Sequence, residues 1–249
     1  IMKSSPIDSQ KAGIRNEKLV LELLRRNKKI SQTELCELTG LGSSTASYIV
    51  SRLREKKLIV EEKGKSKKRG AKPTIIKINS KGRFIVSVDI HPNKIKLGLF
   101  DLNSCLIEKI DIPLTEPKDH NPKKMLKLIE IYVFGLIGKH KIDQSILLGI
   151  GITLSGSVTR DGSVVLSSPM GWKNVPLKKM LSSIFKCPVR IFTTRVRLFA
   201  ELSNQPQLES ENILYLNIAS GVGSTAIVDG KLLTGASGKT GEIGHIIVN

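Results

Sequence analysis

The sequence has few cysteines and no long hydrophobic run, and each shortage excludes a class of protein. Cys36, Cys105 and Cys187 lie far apart and form no CxxC pair, so we expect reduced thiols rather than a disulfide framework. The longest apolar stretch, 146–154, has nine residues including its glycines, whereas a membrane-spanning helix needs about 20. The N-terminal residues are charged and lack an apolar segment, so no secretory signal is predicted. We therefore expect a cytoplasmic globular protein with no membrane partner.

Acidic residues are scarce relative to basic ones, and the imbalance is uneven. The 249 residues include 40 Lys and Arg but 22 Asp and Glu, a net charge of +18. Residues 1–82 hold 20 of the basic residues and 8 of the acidic ones, so one third of the chain carries a net charge of +12. An excess of positive charge attracts polyanions. The clustering favours a nucleic-acid-binding module over residues 1–82, although a solvated lysine-rich surface would have the same composition.

Residues 15–57 predict three short helices. An apolar stripe marks the first helix over 15–27, and a capping box at Ser31 and Glu34 starts the second. The glycine-containing turn 40–42 precedes a third helix over 43–57. The expected core residues are Leu19, Val20, Leu23 and Leu24 on the first helix, and Ala46, Ile49, Val50 and Leu53 on the third. This arrangement is typical of a helix-turn-helix, with a small helical dimerisation module as the alternative.

The polar face of the third helix and a basic loop behind it are the candidate DNA contacts. Residues 58–60 and 73–78 predict two strands around a loop whose residues 63–72 include six cations and no acid. A β-hairpin of this kind after a helix-turn-helix is called a wing. The basic loop alone could equally be a run of charged residues exposed to solvent. The predicted contacts are Ser43, Ser44, Thr45, Ser47, Tyr48 and Arg52 on the helix, and Lys65, Lys67, Lys68, Arg69 and Lys72 on the wing. Together they predict a winged helix-turn-helix domain over residues 1–82.

Residues 83–249 mix strands with helices, which predicts an α/β fold. The run 146–154 is continuously apolar, so we expect a strand buried on both faces. The other predicted elements are an antiparallel meander over 84–91, 94–102 and 106–113, helices over 122–139 and 176–185, a strand over 189–192 with a helix to about 203, and strands over 212–219 and 225–228.

The motifs of this second module resemble the ROK family (repressors, open reading frames and sugar kinases). The matching segments are VDI at 88–90 with KIKLGL at 94–99, GIGI at 149–152 through Gly156, SPMGWKNVPL at 168–177, GVG at 221–223 and GASGKTGEIGH at 235–245. The resemblance implies an actin-like, ribonuclease-H-like sugar-kinase fold, with a first lobe over about 83–205 and the start of an incomplete second lobe over about 206–249. The whole chain resembles the repressor branch, of the xylose- or N-acetylglucosamine-repressor kind.

The resemblance also implies a sugar site. In the family, the Glu and His of the last motif hold sugar hydroxyls, and these positions are Glu242 and His245 here; Gly156 lines the cleft. Met170 stands where the family usually has Asn, so the sequence departs from the family at this position. A Glu near a His is otherwise an ordinary surface pair.

The residues needed for phosphoryl transfer are largely missing. The first phosphate turn of the kinases, Asp-x-Gly-Gly-Thr, reads DIHPN at 89–93, and Pro92 has no amide to donate. A second cradle survives as Gly221 and Gly223, which we interpret as vestigial. The general-base Asp falls at Thr194 or Arg195, and residues 187–200 contain no carboxylate. No catalytic residue is therefore assigned.

No cofactor or metal is expected within these 249 residues. In the family, the motif His also joins a cysteine cluster that binds structural zinc. His245 would be a zinc ligand only if such a cluster followed it, because a structural site needs about four ligands.

The leading hypothesis is a sugar-responsive DNA-binding repressor of carbohydrate-utilisation genes, whose sugar-binding lobe senses the inducer without catalysis. Its partners would be double-stranded operator DNA, a small sugar inducer and a second copy of the chain, as a dimer or tetramer. One alternative is an ATP-dependent sugar kinase, similar to glucokinase or N-acetylglucosamine kinase, with a DNA-binding head. Another is a constitutive DNA-binding protein with a degenerate sugar lobe.

Overall fold

The structure, a computed structural model, is divided by its contacts into two compact units. The first comprises Ile1–Ile85 with Phe100–Ile107, and the second Val86–Leu99 with Glu108–Asn249. The residues described are 9–64, 73–115, 120–159, 161–193, 196, 198, 212–218, 222–229, 231–233, 240–241 and 243–247. Among these residues, no helix combines the length and apolar character needed to cross a membrane.

The first unit contains three helices and a three-stranded antiparallel sheet in the order β1-β3-β2. Ile30 of the first strand pairs with Ile76 of the third, and Ile59 of the second pairs with Ile78. The elements are α1 (Ser9–Asn27), β1 (Lys29–Ser31), α2 (Gln32–Thr39), α3 (Ser43–Glu55), β2 (Ile59–Lys63) and β3 (Thr74–Ile78).

One apolar cluster holds these elements together, and most of it follows the predicted stripes. All four core residues expected on α3 are buried, and Val20 and Leu24 of α1 are fully buried. Leu19 does not belong to this core as predicted, because its side chain is 38% exposed on the outer side of α1. The capping box at the start of α2 is confirmed: the Ser31 hydroxyl accepts from the Glu34 amide at 3.2 Å, and the Glu34 carboxylate accepts from the Ser31 amide at 2.6 Å.

The second unit is built on a five-stranded sheet with the strand order β11-β7-β4-β5-β6, in which β7 and β11 run parallel. Its first three strands in sequence are neighbours, in the order expected of a meander. The strands of this sheet are β4 (Phe84–His91), β5 (Lys94–Asp101), β6 (Leu106–Pro113), β7 (Leu147–Leu154) and β11 (Val189–Thr193).

The prediction that 146–154 is buried on both faces is wrong. The alternate side chains from Ile150 to Leu154 are buried on one face of β7. On the other face Leu147 is buried, whereas Gly149, Gly151 and Thr153 are only partly buried. Since the two glycines have no side chain to bury, Leu147 is the one apolar side chain that β7 buries on this second face, and Leu148 is 46% exposed.

Two helices pack near this sheet. Asn121 caps α4 (Pro122–Lys139), its side chain accepting from the amides of Lys123 and Lys124, and the helix has the predicted bounds. The next helix, α5 (Leu177–Ser182), is shorter than predicted. Phe134 of α4 lies 5.5 Å from Phe185 between ring centroids.

Two smaller sheets complete the second unit. They are β10-β9-β8, from β8 (Ser157–Val158), β9 (Val164–Ser167) and β10 (Trp172–Val175), and β12-β13-β14, from β12 (Ile213–Ile218), β13 (Val222–Val228) and β14 (Lys231–Leu232). On β12 the alternate side chains Leu214, Leu216 and Ile218 are 66%, 52% and 77% exposed. These three side chains form an open apolar face within the described part of the chain.

Candidate nucleic-acid interface and sugar site

The outer face of α3 presents short hydroxyl side chains to solvent. Ser43, Ser44, Thr45 and Ser47 are exposed, and Tyr48 is 61% exposed. The opposite face of the helix is buried in the apolar cluster, so the orientation of α3 is fixed by packing. Five of the six contacts predicted on this helix are therefore accessible to a ligand.

Arg52, the sixth, has partners within the protein. Its Nε lies 3.0 Å from a carboxylate oxygen of Glu17 on α1, and its guanidinium carbon lies 5.7 Å from the centre of the Tyr48 ring. The other oxygen of the buried Glu17 accepts from Lys56 Nζ at 2.6 Å. Because Glu17 is buried between two cations, Arg52 holds α3 against α1 as well as flanking the exposed face.

Sequence reasoning missed Gln32, the first residue of α2. Its Nε2 donates to Ser47 Oγ at 2.6 Å, and Ser47 Oγ donates to the Ser43 carbonyl at 2.8 Å. The capping box locates Gln32 at the start of a helix, but nothing in the sequence relates it to a residue 15 positions away.

The wing is described only at its base. The β2–β3 ladder runs to the Lys63–Thr74 pair, and the Gly64 amide donates to the Pro73 carbonyl at 2.8 Å, which continues the hairpin. Glu61 and Glu62 on β2 pair with Arg54 and Lys77, so these acidic side chains are neutralised locally. The predicted wing contacts Lys65, Lys67, Lys68, Arg69 and Lys72 lie outside the described residues.

At Gly156, predicted to line the sugar cleft, the backbone leaves no room for a side chain. Its φ is +145°, and a Cβ there would overlap the Leu166 carbonyl oxygen. Next to it, the Ser167 hydroxyl donates to the Ser155 carbonyl at 2.6 Å. Met170 is 3% exposed, so the residue in place of the usual Asn offers no polar group to a sugar.

The motif that carries the other predicted sugar contacts packs on β13. The Ser224 amide donates to the Gly241 carbonyl at 2.7 Å, and Gly241, with φ of +87°, approaches too closely to carry a Cβ. His245 lies in a single 3-10 turn, Ile243–His245, and Glu242 lies outside the described residues. The structure thus describes the backbone of the motif only at 240–241 and 243–245, and the roles of Glu242 and His245 stay predictions.

Of the two glycines predicted to form a vestigial phosphate cradle, the structure describes one. Gly223 lies inside β13 and pairs with Asn217 of β12, as part of a regular ladder. Gly221 lies outside the described residues.

The carboxylate near the end of β4 is engaged by the chain itself. Thr153 Oγ1 donates to one oxygen of Asp89 at 2.7 Å, and His91 Nε2 lies 2.7 Å from the other. In the turn that follows, the Pro92 carbonyl accepts from His120 Nε2 at 2.6 Å. This turn offers an anchored carbonyl where a phosphate cradle would offer free amides.

The position of the missing general base falls just after β11, which ends at Thr193. Thr194 and Arg195 lie outside the described residues. The composition of 187–200 still excludes a carboxylate there.

The described part of the chain presents no ligand set for the structural zinc of the resemblance. Within the described residues, no three or more His, Cys, Asp or Glu side chains are grouped closely enough to hold a metal ion. Cys36, Cys105 and Cys187 are free thiols, and burial raises the pKa of Cys187, which disfavours the thiolate that a metal requires.

Two family models match the chain. Residues 85–249 match the ROK family, and residues 14–70 match the MarR family.

Several of the similar curated proteins are repressors. A xylose repressor of Caldicellulosiruptor bescii is 28% identical over 94% of this chain and 59% of its own length. One of Bacillus subtilis is 26% identical over 94% of this chain and 60% of its own length. A glucokinase of Halalkalibacterium halodurans is 29% identical over 67% of this chain and 50% of its own length. The chain thus spans about three fifths of the length of these repressors.

Solved structures show the same fold. A ROK family transcriptional regulator, described as a homologue of the Escherichia coli Mlc protein, superposes with a TM-score of 0.77 over 95% of this chain and 60% of its own, at 24% identity. A ROK family glucokinase of Streptomyces griseus, in complex with glucose and AMPPNP, superposes with a TM-score of 0.57. The match covers 67% of this chain and 51% of the glucokinase chain, at 22% identity. The actin-like sugar-kinase fold preceded by a winged helix-turn-helix is thereby confirmed.

Proposed function

The chain belongs to the ROK family, and from that premise we propose that it is a sugar-responsive DNA-binding repressor of carbohydrate-utilisation genes. The observation that carries the proposal is the outer face of α3, which is polar, exposed and fixed by a buried opposite face. A helix of this kind enters the major groove in helix-turn-helix proteins. Residues 1–82 would be the DNA-binding domain and residues 83–249 the sugar-binding domain.

Six residues on α3 would contact DNA, namely Ser43, Ser44, Thr45, Ser47, Tyr48 and Arg52. Ser43, Ser44 and Thr45 lie at the start of the helix, where backbone amides and hydroxyls suit phosphate oxygens and base edges. Tyr48 follows one turn later, with Arg52 behind its ring. The wing cations would hold the sugar-phosphate backbone and add affinity for any sequence.

The second domain would act as the sugar sensor. Glu242 and His245 would hold sugar hydroxyls, with Gly156 lining the cleft. Xylose is the first sugar to test, because the similar proteins of C. bescii and B. subtilis are named xylose repressors. Binding would regulate DNA affinity only if the sugar prefers one of two states of the protein.

We propose that this domain does not transfer phosphate. The engaged carboxylate of Asp89 and the anchored Pro92 turn support this view, together with the absence of a carboxylate from 187–200. A sugar kinase is the second candidate function, because the glucokinase of H. halodurans is among the similar proteins. A coupled assay with ATP and a panel of hexoses separates the two candidates. Turnover above background would contradict the proposal that this domain does not transfer phosphate.

A repressor of this kind would act as a dimer or tetramer in the cytoplasm, on a palindromic operator. The test is selection of bound DNA from a random pool by the full chain, with and without xylose, glucose, fructose and N-acetylglucosamine. We expect one enriched motif that disappears with one of the sugars. A motif that no sugar affects, with no thermal shift by any sugar, would favour a constitutive DNA-binding protein instead.

A further inference from the structure

We propose that Gln32 determines DNA specificity by reading the edge of an adenine in the major groove, and that Ser47 is the positioning residue that holds it. The inference rests on the proposed DNA-binding function and adds to it a residue outside α3 and the wing. It also changes the role expected of Ser47, which becomes a support for the reading group.

The direction of the Gln32–Ser47 hydrogen bond follows from counting protons. A serine hydroxyl has one hydrogen, and Ser47 donates it to the Ser43 carbonyl, 2.8 Å away. The 2.6 Å contact with Gln32 must therefore be an amide N–H donating to the hydroxyl oxygen. This fixes which end of the Gln32 carboxamide faces Ser47.

The rest of the carboxamide remains for a ligand. One N–H and the carbonyl oxygen of Gln32 have no further partner among the residues that the structure describes. A neighbouring donor and acceptor match the N7 acceptor and N6 donor that adenine presents in the major groove. Guanine presents two acceptors and cytosine a donor, so neither satisfies both groups of the amide.

The geometry also lowers the cost of recognition. A free glutamine loses side-chain entropy on binding, whereas Gln32 is already held by a residue of α3 in the protein alone. Ser47 is exposed but has already used its proton, so it cannot donate to a base while it keeps its bond to Ser43. Of the two residues, only Gln32 therefore has free hydrogen-bonding groups for a base, and Ser47 holds it in place.

The test is selection from a random DNA pool by the full chain and its variants. We expect the unchanged chain to enrich adenine at one position of each half-site. Gln32→Ala should abolish that preference and bind the best site roughly 5- to 150-fold more weakly, the range expected for one bidentate contact. Gln32→Glu should move the preference from adenine to cytosine, since a carboxylate accepts from cytosine N4.

Variants of Ser47 and a neighbour separate positioning from fold. Ser47→Ala should weaken the same adenine preference without shifting it, and Ser47→Thr should restore it by keeping the hydroxyl. The matched control is Thr33→Ala, an exposed neighbour on α2, which should leave the motif unchanged. Circular dichroism melting of each variant checks folding, and a preference for a new base cannot arise from unfolding.

Two results would overturn the inference alone. One is an unchanged motif with Gln32→Ala; the other is an equal loss of affinity for every sequence, which would make Gln32 a backbone contact. If the unchanged chain selects no motif at all, the proposed function fails and the inference fails with it.

Discussion

At the scale of single residues, Gly156 has a backbone role that is independent of any ligand. Its φ of +145° lies in a region that other residues rarely adopt, and the space beside it is filled by the backbone of Leu166 and Ser167. A glycine is therefore required here for folding, whether or not the residue also lines a sugar cleft.

Gly156→Ala should lower the free energy of unfolding by about 1–3 kcal/mol, the usual cost of a strained backbone position. Gly135→Ala is the matched control, because Gly135 lies in α4 with open space around it. That change should stabilise by about 0.5–1 kcal/mol, since alanine is the better helix former. Urea denaturation measures both, and an unchanged stability of Gly156→Ala would contradict the requirement for glycine.

Glu34 should make the stability of the first unit depend on pH. Hydrogen bonds from the backbone amide and side chain of Ser31 lower the pKa of the Glu34 carboxyl. The ionised form thus stabilises the folded state, fully above the ordinary pKa and progressively less as the pH falls through the lowered one. Glu34→Gln should be less stable than the unchanged chain at neutral pH, and the difference should shrink as the solution is acidified below the ordinary pKa of Glu. Thermal unfolding across that range checks this; a constant gap would refute it.

At the scale of elements, sequence periodicity and capping signals predicted the bounds and the buried face of long, regular helices. The bounds of α4 match because Asn121 and Pro122 are start signals, and the core stripe of α3 is buried as expected. The helix α5 ends early, where the Ser183 hydroxyl donates to the Met180 carbonyl and competes with helix bonding. Strands of two to four residues, such as β8, β9 and β10, are too short for any period to show.

The open face of β12 should promote self-association. Replacing Leu214 and Ile218 together by Thr should reduce association, measured by sedimentation velocity, because both side chains are mostly exposed. Each change should alter the free energy of unfolding by less than about 0.5 kcal/mol, as for other surface sites. Ile227→Thr on the same sheet is the control: this residue is 7% exposed, so it should destabilise the protein without reducing association.

At the scale of the whole molecule, the presence of a winged helix-turn-helix and a ROK domain was predictable from charge and motifs, but the contacts within the candidate sites were not. The basic N-terminal third and the glycine-rich ROK motifs are linear features, so they are visible without coordinates. The Gln32–Ser47 bond and the Thr153–Asp89 bond join residues 15 and 64 positions apart. Such pairs depend on how helices and strands pack, which composition and periodicity do not encode.

The uneven charge should appear in the salt dependence of DNA binding. Neutralising Lys65, Lys67, Lys68 and Arg69 together should weaken binding to all sequences. It should also flatten the plot of log affinity against log salt by about 0.9 for each phosphate that the wing no longer binds. Fluorescence anisotropy between roughly 50 and 200 mM salt, a range over which such affinities fall strongly, gives the comparison. An unchanged slope would show that the wing does not touch DNA.

The two contacts to Asp89 affect how readily phosphoryl transfer could arise in this domain. A carboxylate introduced at position 194 or 195 would supply a proton acceptor. Thr153 and His91 would still contact the two carboxylate oxygens of Asp89 near the end of β4. Pro92 would still lack an amide, with its carbonyl tied to His120. Under the proposed function, a single mutation would therefore not confer phosphoryl transfer, because the proton acceptor and the phosphate turn lie in separate segments and both would have to change.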